Sequence, residues 1–214
     1  MLSRFDRIKI AKKVAEELEE GSIVNLGVGI PTLIPDYLNG KKVYLQSENG
    51  LLGIGPTPDE EHINMDLISA SKKPITMDKG ASLFDSSDSF VMIRGGHVDV
   101  AVLGALQVDR YGEIANWTIP GKTILGVGGA MDLVAGAKKI ILASTHQAKN
   151  GQPKLINELT FPSNGVRKAD MLVTEHAVFK FTDYGPELSE ILSDISIDEL
   201  RKITGTKFKE KITT

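Results

Sequence analysis

The sequence predicts an α/β domain: a largely parallel sheet with helices packed against it. Three observations carry that prediction. Four short apolar runs have strand length, an amphipathic helical segment precedes them, and glycine-rich turns or helical candidates alternate with them. Short apolar runs of this kind read as strands buried on both faces, which is the mark of a parallel sheet covered by helices.

The helical segment is "SRFDRIKIAKKVAEELEEG", residues 3–21. Ser3 with Asp6 resembles a capping box, Phe5, Ile8, Ala11, Ala15 and Leu18 fall on one face, and Gly21 supplies the stop. The predicted strands are "SIVNLG", "KVYLQS", "VDVAVLG" and "KKIILAS". Further on, "MLVTEHAVFKFT" predicts a longer strand or a hairpin, and "SIDELRKITG" a closing helix capped by Ser196. No Ser- or Pro-rich linker, repeat or low-complexity tract divides the chain, so a single domain over residues 1–214 is expected. Strand order does not follow from these signals.

Composition narrows the function. Hydrophobic residues at 41% and charged residues at 25% describe an ordinary globular chain. A net charge of −3 argues against nucleic acid as a partner. With no cysteine, disulfides, thiolate nucleophiles and Cys-ligated metals are excluded. The start lacks the apolar core of a signal peptide and no apolar run approaches a membrane span, so a cytoplasmic location off the membrane is expected.

Ligands of such sheets bind beyond the carboxyl ends of the strands. Three glycine-rich stretches fall there: "NLGVGIP" (Asn25–Pro31), "SENGLLGIGP" (Ser47–Pro56) and "GVGGAMD" (Gly126–Asp132). Each has a plain reading as turn geometry. A dinucleotide fingerprint counted from Gly27 ends on Thr32, and from Gly126 on Met131. "PGKT" (Pro120–Thr123) fails as a P-loop, since Asn116 stands where the first glycine belongs. His62, His97, His146 and His176 show no metal-binding spacing and are expected to be structural or on the surface. Asp99, at a strand start, suits a turn-capping carboxylate, and "PDEEH" (Pro58–His62) a solvated loop.

Glu48 is different. In "LQSENGLLGIGP" a lone carboxylate stands at the end of a buried strand, followed by apolar and glycine residues with little charge. Glutamate is ionised at neutral pH without help, so it can attack an activated acyl group with no partner base. Glycine loops can offer backbone N–H groups to the oxyanion that develops. A carboxylate with N–H donors, and neither metal nor histidine base, suits acyl exchange between carboxylates better than hydrolysis.

The nonapeptide "LQSENGLLG" resembles the active-site signature of the class I coenzyme A transferases, whose nucleophile would be Glu48. "NLGVGIP", "MIRGGHVDVAVLGALQVDRYGEIANW" and "GKTILGVGGAMDLVAGAKKIIL" resemble further family segments, over roughly residues 3–205, closest to the B (β) subunit of 3-oxoacid or acetoacetate CoA-transferases. The resemblance implies the family's isomerase-like α/β fold and ping-pong transfer of CoA between an acyl-CoA and a short-chain carboxylate. Coenzyme A would be substrate and covalent intermediate on Glu48, with no permanently bound cofactor and no metal. It further implies that the Gly129 N–H lies beside the glutamyl carbonyl, with Val28 a second contributor and Gly128 and Asn49 in the same site. Lys72 and Lys73 are candidates for the CoA phosphates, although a solvated pair on a loop is an equal reading. The A half of the family carries a Gly-Gly-Phe core, whereas here the Gly-Gly pairs precede His97 and Ala130. A separate A subunit, as A2B2, is therefore expected. The competing expectation keeps the fold alone: a sugar-phosphate isomerase or sensor module.

Overall fold

The computed structural model describes residues 3–121, 128–165 and 167–212. Gly126 and Val127 of "GVGGAMD", and Lys122 and Thr123 of "PGKT", lie outside the described residues. The elements run α1 (Arg4–Glu17), β1 (Ile23–Leu26), β2 (Tyr44–Ser47), β3 (Leu51–Ile54), β4 (Met77–Leu83), α2 (Ser86–Arg94), β5 (Val100–Leu103), β6 (Gln107–Val108) and β7 (Ile114–Ala115). They continue with α3 (Ala130–Gly136), β8 (Lys139–Ala143), β9 (Met171–Val173), β10 (Ala177–Thr182), β11 (Gly185–Ile191), α4 (Ile197–Ile203) and β12 (Lys209–Glu210).

Among the described residues, ten strands form one sheet in the order β12-β11-β10-β9-β8-β5-β1-β2-β3-β4, and β6 with β7 forms a small ribbon. The five central strands, from β9 to β2, are parallel. Antiparallel hairpins extend the sheet on both sides of them. The four apolar runs are β1, β2, β5 and β8, and the longer run is the hairpin β9–β10.

Period-two alternation feeds two apolar layers. Val100, Val102, Ile141 and Ala143 face α1, while Ala101, Leu103, Ile140 and Leu142 share a cluster with residues of α2, α3 and α4. Each fully buried Ile or Leu contributes about 1.5–3 kcal/mol.

Two expectations change at the edges. Phe5 is 82% exposed, and the buried stripe of α1 is Ile10, Ala11, Val14 and Ala15, continued by Leu18 beyond its end. At 100° per residue, Phe5 points about 150° from the centre of that stripe. The helix also ends at Glu17, ahead of Gly21, which makes the turn into β1 with φ +81°. The predicted caps hold: Ser3 pairs with Asp6 on α1, and Ser196 with Glu199 on α4.

The chain pairs β2 on one side of β1 and later returns with β5 on the other. Counting only the parallel strands, the order is 2-1-3-4-5, a doubly wound sheet whose direction reverses at β1. Crevices open beyond the carboxyl ends at such a reversal.

Candidate active site

Three segments converge at that end of the sheet. The first follows β1, where Gly27 donates its N–H to the Val102 carbonyl of β5 at 2.8 Å. A Cβ on Gly27 would come within 3.1 Å of the same oxygen, so a side chain would fit only if the neighbouring backbone gave way by a few tenths of an ångström.

The second is the turn Glu48–Gly50 between β2 and β3. The stretch read as a glycine loop is thus a tight hairpin, with Ser47 opposite Leu51. Gly50 explains why it closes: its φ is +114°, and a Cβ there would lie 2.0 Å from the Phe84 carbonyl. Period-two pairing buries Leu51 and Gly53 and leaves Glu48, on the turn itself, half-buried at the carboxyl end of β2.

The third segment starts α3. Gly128 has φ +54°, Gly129 is the N-cap, and the helix runs from Ala130. Gly129 is buried against the turn: a Cβ on it would sit 3.4 Å from Glu48 Cγ and 3.3 Å from the Phe90 ring of α2.

Beneath Glu48 lies a chain of buried polar side chains that sequence reasoning missed. Asn25 of β1 is 1% exposed, and its Nδ2 donates to Gln46 Oε1 at 2.6 Å and to the Gln46 carbonyl at 3.3 Å. It also reaches Glu48 Oε2 at 3.4 Å. Gln46 Nε2 in turn donates to Ser89 Oγ of α2 at 2.7 Å. Asn25 Oδ1 is buried with no hydrogen-bond partner. The only advance signal was that Asn25 opens "NLGVGIP" and Gln46 lies inside the nonapeptide.

The remaining predicted residues surround this centre. Val28, two residues past β1, is 73% exposed and makes no hydrogen bond to Glu48. Asn49 donates to the Ile68 carbonyl at 2.8 Å, and Ser47 Oγ accepts from the Ala70 N–H at 2.9 Å. These two bonds dock the 68–74 loop on the Glu48 turn. Lys72, at φ +60°, and Lys73 stand on that loop, exposed, with Lys73 Nζ 3.3 Å from Thr32 Oγ1.

The histidines keep to other parts of the fold. His62 and His97 are exposed. His146 is 1% exposed, bonded to Thr174 Oγ1 and Thr204 Oγ1, and burial, with the nearby His176 charge, pulls its pKa down to about 4. Among the described residues no three potential ligands cluster as a metal site, and no helix is long and apolar enough to cross a membrane.

Fold and site together define a doubly wound α/β protein with a half-buried carboxylate at a strand end as its candidate functional centre. The comparisons with known proteins identify the family. The coenzyme A transferase model matches residues 7–202. The B subunit of the succinyl-CoA:3-ketoacid coenzyme A transferase of Helicobacter pylori J99 is 47% identical over 203 residues, covering 95% of this chain and 98% of that one. The beta subunit of the acetate CoA-transferase of Escherichia coli K12 is 46% identical over 202 residues, covering 94% and 92%. Among solved structures, the acyl-CoA transferase YdiF of Escherichia coli O157:H7 superposes with a TM-score of 0.77 at 25% identity. That match covers 99% of this chain and 43% of the longer one. The chain belongs to the coenzyme A transferase family, and within it to the B, or beta, subunits. The sugar-phosphate alternative is not favoured by these matches.

Proposed function

We propose that this B subunit works with a separate A subunit, as A2B2, to move CoA between an acyl-CoA and a short-chain carboxylate of the 3-oxoacid type, such as acetoacetate. The observation that carries the reading is the placing of Gly129 beside the Glu48 side chain at the carboxyl end of β2, so close that a Cβ on the glycine would touch it.

In this reading the Glu48 carboxylate attacks the acyl-CoA carbonyl, expels CoA as thiolate and forms a mixed anhydride. The thiolate attacks the glutamyl carbonyl, releasing the first carboxylate and leaving a glutamyl–CoA thioester. The second carboxylate attacks that thioester, expels the thiolate and forms a new anhydride. The thiolate then takes the new acyl group and frees Glu48. No water or proton is consumed, and the thioester energy is conserved throughout.

The N–H of Gly129 is proposed to face the oxyanion at the glutamyl carbon, with Val28 as the second donor and Gly128 turning the chain to aim it. Asn49 acts by holding the 68–74 loop on the turn. The adenosine diphosphate end of CoA rests mainly on the A subunit, with Lys72 and Lys73 contributing from this chain. Water must be kept from both acyl intermediates, and Leu51 with its neighbours supplies one apolar wall. The exposed apolar side chains Val28, Leu83 and Val91, on elements that carry or adjoin the site, support a partner that closes it.

Initial rates of the A–B complex test this reading. Parallel double-reciprocal lines for acyl-CoA against carboxylate are expected, with no turnover by either protein alone. Intersecting lines, or full turnover by this chain alone, would overturn it.

A further inference from the structure

The buried polar chain under Glu48 contains a choice of orientation that the turn alone cannot make. Each of the three atoms around Asn25 Nδ2 is an acceptor: Gln46 Oε1, the Gln46 carbonyl and Glu48 Oε2. Reversing the Asn25 amide would set its oxygen against all three, so the molecule tolerates an orphan Oδ1 on the other side. A buried orphan costs about 1–3 kcal/mol, and facing three acceptors would cost more.

Gln46 completes the arrangement by turning its own side-chain oxygen towards Asn25, at 2.6 Å. Its Nε2 donates to Ser89 Oγ at 2.7 Å, which anchors the Gln46 side chain to the helix. Ser89 is 0% exposed on α2, whereas Gln46 and Asn25 belong to β2 and β1. The bond therefore joins the helix to the strands beside the Asn25–Gln46 pair. Without a hydroxyl at position 89, the buried Gln46 Nε2 loses this partner and the Gln46 side chain loses its anchor to α2.

We infer that Ser89 is a positioning residue: by anchoring Gln46 it steadies the Asn25 amide whose N–H reaches Glu48, and so holds the carboxylate in its reactive orientation. The inference rests on the reading of Glu48 as acyl acceptor. It concerns the acyl-transfer step, because orienting a nucleophile alters reaction geometry more than substrate binding.

Ser89→Thr and Ser89→Val make the matched pair. Both enlarge the side chain in a closed site by a similar volume, and only threonine keeps the hydroxyl. In the A–B complex, Ser89→Thr should keep kcat within about threefold of the parent enzyme, while Ser89→Val should lose on the order of tenfold in kcat at unchanged KM for acyl-CoA. Equal kcat in the two variants, or a loss confined to KM, would overturn the inference. If the added bulk unfolds both, Ser89→Ala replaces them. It should lower kcat about tenfold at unchanged KM, and normal kcat in it would equally overturn the inference. Glu48→Gln, run beside them, separates the two claims. Transfer surviving in Glu48→Gln sinks the acyl-acceptor reading itself. Its loss, with the threonine and valine enzymes alike, sinks only the role of Ser89.

Discussion

Two carboxylates stand at opposite ends of the same parallel sheet. At the amino end, Asp99 Oδ2 accepts the Ile23 N–H at 2.8 Å and Oδ1 pairs with Lys138 Nζ at 2.8 Å. The Ile23 N–H, reinforced by the Lys138 ammonium, holds the Asp99 carboxyl below its usual range. At the carboxyl end, Glu48 has one long bond, 3.4 Å, from Asn25. Asp99 uses both oxygens and ties β1 to the residues that lead into β5 and β8, where its place at a strand start had suggested a turn-capping carboxylate. Glu48 keeps its acceptor capacity for a ligand. The contrast separates an acid whose bonds hold the fold from one proposed to react, and it does so by hydrogen-bond accounting rather than by burial.

The sharpest way to break this comparison is to neutralise both acids. Glu48→Gln should abolish transfer and leave thermal stability close to the parent's. Asp99→Ala should do the reverse, costing about 1–2 kcal/mol in a denaturant titration with turnover per folded enzyme unchanged. A stable Asp99→Ala, or a Glu48→Gln that melts early, would erase the distinction.

The next largest effect lies on the glycine beside Glu48. Ala at position 129 places one carbon 3.3–3.4 Å from Phe90 and Glu48, which small shifts absorb. A branched side chain must push one of them aside. Gly129→Val should cost about 100-fold in kcat, the scale for an ångström of misplacement or a lost oxyanion donor. Normal turnover in a folded Gly129→Val complex would remove Gly129 from the site.

A further test concerns pH rather than catalysis, and a region distant from either acid. Buried His146 titrates near 4 when folded against 6.5 as a free group. The unfolded chain therefore binds the extra proton, and stability falls as pH drops from about 6.5 to about 4, by about 3 kcal/mol in all. His146→Gln should flatten that slope in unfolding free energies measured across the interval. An unchanged slope would place its origin elsewhere.

The smallest effect is expected from charge reversal of Lys72 and Lys73. A severalfold rise in KM for the CoA ester, with kcat held, would assign them to the phosphates. An unchanged KM would leave them a solvated pair.

Much of the centre of the molecule was legible in the sequence. Buried parallel strands need apolar residues on both faces, so β1, β2, β5 and β8 read directly from their runs. Glu48 stood out because it is charged where its neighbours are not. The antiparallel edge was hidden: Gly50, Gly53 and Gly55 make "NGLLGIG" look like a loop, whereas two of them serve a hairpin and its bulge. Phe5 was misplaced because one apolar side chain fits a broad helical stripe without facing the sheet. The relay under Glu48 was out of reach for a different reason. Asn25, Gln46 and Ser89 are ordinary polar residues, 21 and 43 positions apart, and only the pairing of β1 with β2 under α2 brings them together.

The central claim is that Glu48 carries the acyl group and then CoA. Incubating the A–B complex with acyl-CoA and no acceptor, followed by mild borohydride, should reduce a glutamyl thioester to the alcohol. Peptide mass mapping should then find one modified residue, Glu48, in the peptide containing "SENGLLG", with Glu60 and Glu61 unchanged. A modification mapped to any other residue, or an adduct formed equally by Glu48→Gln, would contradict the account.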